Sequence, residues 1–207
     1  MAKTKRSGSR RPKTRAARSK RRAPPVSRPG GRVHLYVGAS LDGYIAAPDG
    51  GVDWLNPYGD ARAGFLPFIK TIGSVVMGRT TYDHAVEKGY ANFGEMPAYV
   101  VTHRPFAPPS PSVIPFDGDL AELVRAMRER HRGDIWLMGG GNLTKSFHDA
   151  DLIDIWSVAF VPTLLGAGIP LFLASSFAER RLKLVRTHAY PSGVIELRYE
   201  RAPTKTR

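Results

Sequence analysis

The chain has 207 residues, enough for one domain of ordinary size with an appendage, and 42% of them are apolar, which supports one core. It contains no cysteine, which excludes disulfides, thiol nucleophiles and cysteine-ligated zinc and fits a reducing, cytoplasmic setting. The net charge of +13 suggests a nucleic-acid partner until it is mapped: residues 1–32 carry 13 basic side chains and no acid, and the remaining 18 basic residues balance 18 acids.

Residues 1–32 are rich in Arg, Ser and Pro and too poor in apolar side chains to bury a core, so a disordered basic tail is expected. Three readings of the tail stand. It is an inert extension, a targeting presequence, or a polycation that contacts nucleic acid nonspecifically and releases it as salt rises. It has no apolar segment of the secretory kind and no amphipathic stripe of the transit kind. A single domain is expected over 33–201, followed by a short C-terminal tail, 202–207.

Within that domain, 33-VHLYVGAS-40 reads as a strand, and Asp42-Gly43 turns the chain into the loop 47-APDGGVDWLNPYGD-60. A helix is predicted over about 61–72 despite Pro67, then a strand from Val75 to Met77, a short helix from Thr80 to Glu87 and the strand 99-YVVT-102. The Pro-rich 105–116 reads as a connector. In 119-DLAELVRAMRERH-131, Leu120, Leu123, Val124 and Met127 recur at helical spacing behind Asp119, a candidate N-cap. A strand at 135-IWLM-138 runs into Gly139-Gly140-Gly141, with a short helix from Asn142. Strands are predicted at 155–161, 182–187 and 194–199. From Ile155 to Ala178 no residue is charged, but Pro162, Gly166, Gly168 and Pro170 break the run, so a buried strand and a loop fit it better than a membrane span. Strands alternating with helices, then strands alone, predict a three-layer α/β/α fold with a mostly parallel mixed sheet and antiparallel C-terminal strands.

Ligands of an open parallel sheet bind beyond the carboxyl ends of its strands. Three such ends carry phosphate-compatible residues: Gly78-Arg79-Thr80-Thr81, Thr102-His103-Arg104 and Gly139-Gly140-Gly141-Asn142-Leu143. At the first, one reading is ordinary: Gly78 turns the chain, a threonine caps the helix and Arg79 is solvated. The other is a phosphate site, because the first N–H groups of a helix have no intrahelical partner. Three junctions on one sheet edge favour a dinucleotide. The chain has no Walker motif and no G-x-S-x-G elbow, and Thr144 stands where a Rossmann fingerprint needs glycine or alanine. The six histidines show no metal-ligand spacing, so no metal is expected.

The runs 39-ASLDGYIAAPDGGVDWL-55, 76-VMGRTTYD-83, 100-VVTHRP-105, 136-WLMGGGNL-143 and 161-VPTLLGAGIPLF-172 occur in the order found in the dihydrofolate reductase-like family. The resemblance spans about 33–200 and includes the C-terminal reductase domain of riboflavin biosynthesis, with the stand-alone bacterial members most similar. It implies an NADPH-dependent reductase of a small heterocyclic or imine-containing substrate, as in 5-amino-6-(5-phosphoribosylamino)uracil reductase and dihydrofolate reductase. By the same resemblance Gly78 to Thr81 would hold the pyrophosphate, and Arg79, with Thr102, His103 and Arg104, the 2′-phosphate. Gly139 to Leu143 would cover the phosphates from the other side, and Ser40 would lie near the nicotinamide. Riboflavin reductases tend to carry a lysine four positions before the serine of S-L-D-G and a glutamate just before the Gly-Gly pair. This chain has Tyr36 and Met138 there, a departure from the phosphoribosylated substrate's pattern. No folate-type carboxylate lies on the helix near 61–72, the nearest being Asp60.

Asp42 is either a turn residue or a carboxylate that orients a substrate amine or relays a proton, and Asp53 has the same ambiguity. Trp54 is a flat wall for a heterocycle or a loop anchor, and Tyr36 is a candidate substrate contact. A second function, from a different class, is a noncatalytic nucleotide-binding module recruited to nucleic acid by the tail. The apolar 155–178 run and the habit of related stand-alone reductases suggest a homodimer through the C-terminal strands, with no membrane partner.

Overall fold

The computed structural model describes residues 30–89, 91, 93–173 and 179–202. The expected basic tail lies outside them except for its last residues, and there its boundary is corrected. The Arg32 N–H donates to Asp134 at 2.9 Å and its guanidinium to Glu200 at 2.9 Å, so Arg32 belongs to the domain. At the other end the Ala202 N–H donates to the Arg181 carbonyl at 3.1 Å, and residues 203–207 lie outside the described part.

Among the described residues, ten strands form two sheets. The large one takes β1 (Val33–Ser40), β3 (Ile72–Gly78), β4 (Ala98–Val101), β5 (Val113–Phe116), β6 (Asp134–Gly139), β7 (Ile155–Val161), β9 (Leu182–Ala189) and β10 (Ile195–Arg201). Their order is β5-β4-β3-β6-β1-β7-β10-β9. The first six of these run parallel, β10 runs antiparallel to β7, and β9 antiparallel to β10. This is the mixed sheet with antiparallel C-terminal strands that the element order predicts. A small second sheet pairs β2 (Tyr44–Ala46) with β8 (Ile169–Pro170).

Among the described residues, four α-helices pack on the large sheet: α1 (Arg62–Ile69), α2 (Arg79–Glu87), α3 (Leu120–Arg130) and α4 (Gly141–Asp149). Asp119 caps α3 as expected, accepting the Glu122 N–H at 2.9 Å, and Leu123, Val124 and Met127 bury its apolar stripe against β1 and β6 residues. The opposite face is covered near β1, β3 and β6 by Phe65 and Phe68 of α1, packed with Tyr36 and Trp136. A helix over the whole of 61–72 does not form. A 3₁₀ segment, Asp53–Ala61, with Pro57 inside it, precedes α1, and the chain re-enters the sheet at Ile72. Of the 155–178 run, residues 155–173 are described and form β7, a loop and β8, and among the described residues no helix is long and apolar enough to cross a membrane.

Candidate active site

Parallel pairing fixes where the phosphate-compatible junctions end. Gly78 stands beside Val101 in the register of β3 and β4, and Met77 beside Gly139 in that of β3 and β6. Helices α2 and α4 therefore start side by side at one sheet edge. Their N-caps are Gly78 and Gly140, and neither offers a side chain to the first N–H groups of its helix. Those donors need another partner. The two starts approach closely: a Cβ placed on Gly140 would stand 3.0 Å from Thr81 Oγ1, and one on Gly78 3.8 Å from Leu143 Cβ. Gly141, Leu143 and Thr144 are buried, while Asn142 and Thr80 are exposed.

Around this edge Arg79 is held on its own helix. Its Nε donates to Asp83 Oδ1 at 2.6 Å, and its guanidinium carbon lies 4.4 Å from the centre of the Phe106 ring. Thr102 Oγ1 accepts the Arg104 N–H at 3.0 Å and shapes the turn after β4. His103 and Arg104 are exposed there, His103 paired through Nδ1 with Asp117 at 2.6 Å. The structure thus gathers the three sequence-predicted junctions at one edge.

A separate cavity of about 270 Å³ opens over β1, which is next to β6 in the sheet, and β7, which is next to β1. Gly38, Ala159 and Val161 form its floor, and the 3₁₀ segment and Phe65 its walls. Tyr36 lines it, stacked on Phe68 with ring centres 4.3 Å apart. Its phenol donates to Glu196 Oε2 at 3.0 Å, and Tyr190 donates to the same oxygen at 3.1 Å. Glu196 is only 5% exposed. Burial first, then the Glu196 charge and hydrogen bond, push the Tyr36 phenol far above the usual tyrosine range, and the same causes raise Tyr190. Helix α1 can lie on this group because residue 64 is glycine. A Cβ there would collide with Tyr190 Oη and stand 2.7 Å from Glu196 Oε2.

Of the candidate catalytic carboxylates, Asp42 is not brought to the cavity. It accepts the Ser40 hydroxyl at 2.6 Å and the Gly166 N–H at 2.7 Å, with the Leu165 N–H at 3.2 Å, tying the end of β1 to the loop before β8. The Ser40 bond, ahead of the backbone donors of Gly166 and Leu165, holds its carboxyl below the usual range. Ser40 is buried, and its Oγ also accepts the Tyr44 N–H at 2.9 Å. Asp53 does line the cavity, at its rim, with Lys88 Nζ at 3.2 Å. Trp54 packs with Val161, Tyr190 and Val194 and is absent from the lining, the arrangement of a loop anchor. Asp60 accepts the Ser192 N–H at 2.9 Å and is likewise absent from the lining.

Sequence reasoning missed Glu196. In 194-VIELRY-199 the alternation sets Glu196 and Arg198 on one face and Ile195, Leu197 and Tyr199 on the other, the pattern of a polar solvent face. The structure departs from it at two positions: Glu196 is buried and Ile195 is 44% exposed, while Leu197, Arg198 and Tyr199 are all half-buried. Tyr190 lies only six positions from Glu196, but the Tyr36 partner lies 160 positions away, so the buried group is not legible from the local sequence.

Residues 32–195 match the family model described as the RibD C-terminal domain. The chain is 32% identical over 170 residues to the uncharacterized protein YwjB of Bacillus subtilis, covering 81% of this chain and 97% of that one. Among solved structures it is similar to Acinetobacter baumannii RibD, with a TM-score of 0.68 at 20% identity, over 84% of this chain and 59% of that one. It is also similar to dihydrofolate reductase from Enterococcus faecalis, solved with NADP(H), with a TM-score of 0.61 at 18% identity, over 83% of this chain and 97% of that one. The fold is of the dihydrofolate reductase-like α/β kind.

Proposed function

The chain belongs to the RibD C-terminal domain family, and on that premise we propose that it is an NADPH-dependent reductase of a small heterocyclic or imine-containing substrate. One observation carries the reading: α2 and α4 start side by side from glycine N-caps that leave their first N–H groups without a side-chain partner. Such a pair of helix starts suits a pyrophosphate, which needs close backbone approach and partial positive charge. The residues fit the cofactor. Gly78 to Thr81 and Gly139 to Leu143 would hold the pyrophosphate, Arg79 with Thr102, His103 and Arg104 the 2′-phosphate, and Ser40 would face the nicotinamide. NADPH supplies a hydride equivalent when bound. The chain's own part is orientation. Tyr36 and Phe65 present an aromatic wall to the substrate, and the cavity lies over β1, the neighbour of the β6 strand that leads into α4, and over β7 beyond it.

The test is a titration of the full chain with NADPH and with NADH, followed by nucleotide fluorescence. Tighter binding of NADPH is expected, with the preference reduced in Arg79→Ala, which removes the planar guanidinium that pairs with a phosphate monoester. Equal affinity for the two nucleotides overturns the reading.

The basic excess of residues 1–32 favours one additional role, recruitment to nucleic acid. Binding to a random DNA duplex across a salt series, with and without residues 1–29, tests it, and a salt-independent result for the full chain removes it.

A further inference from the structure

On the sheet face that carries Glu196, the two outermost strands set like charges against each other. Arg198 of β10 stands directly opposite Arg186 of β9 in the antiparallel register, just before a shift in the pairing. Directly opposed residues share a face with their Cβ atoms about 5 Å apart, and like charges there repel. Arg198 is also partly withdrawn from water. Its side chain is 29% exposed, and its Nε is buried without a hydrogen-bond partner among the described residues. Burial first, then the charge of Arg32 and last that of Arg186 lower its pKa, against the opposite pull of Glu200 and Asp134.

The neighbouring groups do not neutralise the pair. Glu200 holds Arg32 at 2.9 Å and lies 3.9 Å from Arg198 Nη2. Asp134 accepts the Arg32 N–H at 2.9 Å, and Glu196 is sealed by the phenols of Tyr36 and Tyr190. On the inner side Arg198 faces Ser157 of β7, whose hydroxyl lies 2.8 Å from Nε2 of the buried His34. On the outer strand Lys183 and His188 stand opposite Glu200 and Glu196, so β9 adds no acid to this face. Among the described residues Arg186 has neither a hydrogen bond nor an ion pair. An oxyanion between the two guanidinium forks would accept N–H groups from both and cancel their repulsion.

We propose that Arg186 and Arg198 form a phosphate-binding site on the β9–β10 face, separate from the helix starts of α2 and α4 and from the cavity over β1 and β7. The ligand class is a phosphate group shared by the two guanidiniums. It comes as a free phosphate ester or as a backbone phosphate of nucleic acid. Arg32 bears on the second source, because through its contact with Glu200 it joins the basic residues 1–31 to this face. That source rests on the recruitment reading given above, whereas the site itself does not.

The experiment follows the Arg198 Nε–H signal in the proton–nitrogen correlation spectrum of the full chain, identified by its loss in Arg198→Lys. Sodium phosphate is added at constant ionic strength, with chloride as the balancing salt. The signal reports this face, so phosphate taken up at the helix starts does not register in it. A saturating shift is expected in the wild type. Arg186→Ser, on the exposed edge strand, should weaken the phosphate affinity about tenfold, the scale of one charge-assisted contact. A random DNA duplex is the second probe. If it moves the same signal, and Arg186→Ser reduces the salt slope of duplex binding by about one, the source is a nucleic-acid backbone. If only phosphate moves the signal, the source is a free ester. No shift with phosphate, a shift that chloride alone reproduces, or an unchanged affinity in Arg186→Ser overturns the proposal. Loss of duplex binding with the phosphate response kept removes the recruitment reading and leaves the site.

Discussion

Tyr36 and Glu196, 160 positions apart in the chain, meet at 3.0 Å between β1 and β10, across the intervening strand β7. The bond joins the cavity wall to a carboxylate that is otherwise sealed by Tyr190 and by the backbone of α1 at Gly64. A buried carboxylate is stable only while its acceptor capacity is met, so each phenol matters to the fold as well as to the cavity.

Tyr190→Phe is therefore expected to lower the unfolding free energy by about 1–3 kcal/mol, the usual cost of removing one partner of a buried charged group. Gly64→Ala should destabilise by about 1–3 kcal/mol through overpacking, despite the better helix propensity of alanine. Because the new methyl would meet Tyr190 Oη first, the double variant should lose less than the sum of the two single losses. Urea unfolding of the four proteins measures this, and strict additivity would show that the methyl is absorbed elsewhere.

His34 gives a pH dependence whose sign follows from its surroundings. It is 3% exposed, with Nε2 2.8 Å from Ser157 Oγ, and burial, followed by Arg198 and Arg32, lowers its pKa from 6.5 to about 3. Between those values the unfolded chain takes up a proton that the native one refuses. Its stabilising share is thus present above pH 6.5 and is lost as pH falls toward 3. His34→Gln should flatten the unfolding free energy across that window by up to about 1.4 kcal/mol per pH unit. An unchanged slope would mean that His34 is protonated in the fold.

Asp42 anchors the loop that leads from β7 to β8, accepting from both Leu165 and Gly166. Asp42→Ala should free that loop and raise cleavage within 163–168 in limited proteolysis, while cavity ligands keep their affinity. A fall in ligand affinity with no change in cleavage would instead support a direct contact between Asp42 and substrate.

Every residue of the edge strand β9 is exposed, including Leu184 at 50% and Val185 at 49%. An uncovered edge with apolar side chains is a template for pairing with another chain. A homodimer through this edge is the expected assembly. Light scattering at micromolar concentration should give the mass of two chains, reduced to one in Leu184→Lys/Val185→Glu. A wild-type mass of one chain removes the dimer.

The sequence by itself determined the elements whose signals are local. Asp119 and the stripe of Leu123, Val124 and Met127 define α3 because a cap and a 3.6-residue period need only neighbouring residues. Gly78 and Gly139 to Gly141 mark the helix starts for the same reason, a turn that leaves donors exposed. Tertiary structure decided the rest. β5 was hidden in a Pro-rich connector because Pro115 is tolerated only on a sheet edge, and edge position is a property of strand order. The same holds at β10, where alternation separates two faces without saying which is covered. Helix α1, able to approach because residue 64 has no side chain, covers the face that holds Glu196, while Ile195 on the other face stays exposed. Burial of a charge is set by what packs against it, and that partner lies more than a hundred residues away in the chain.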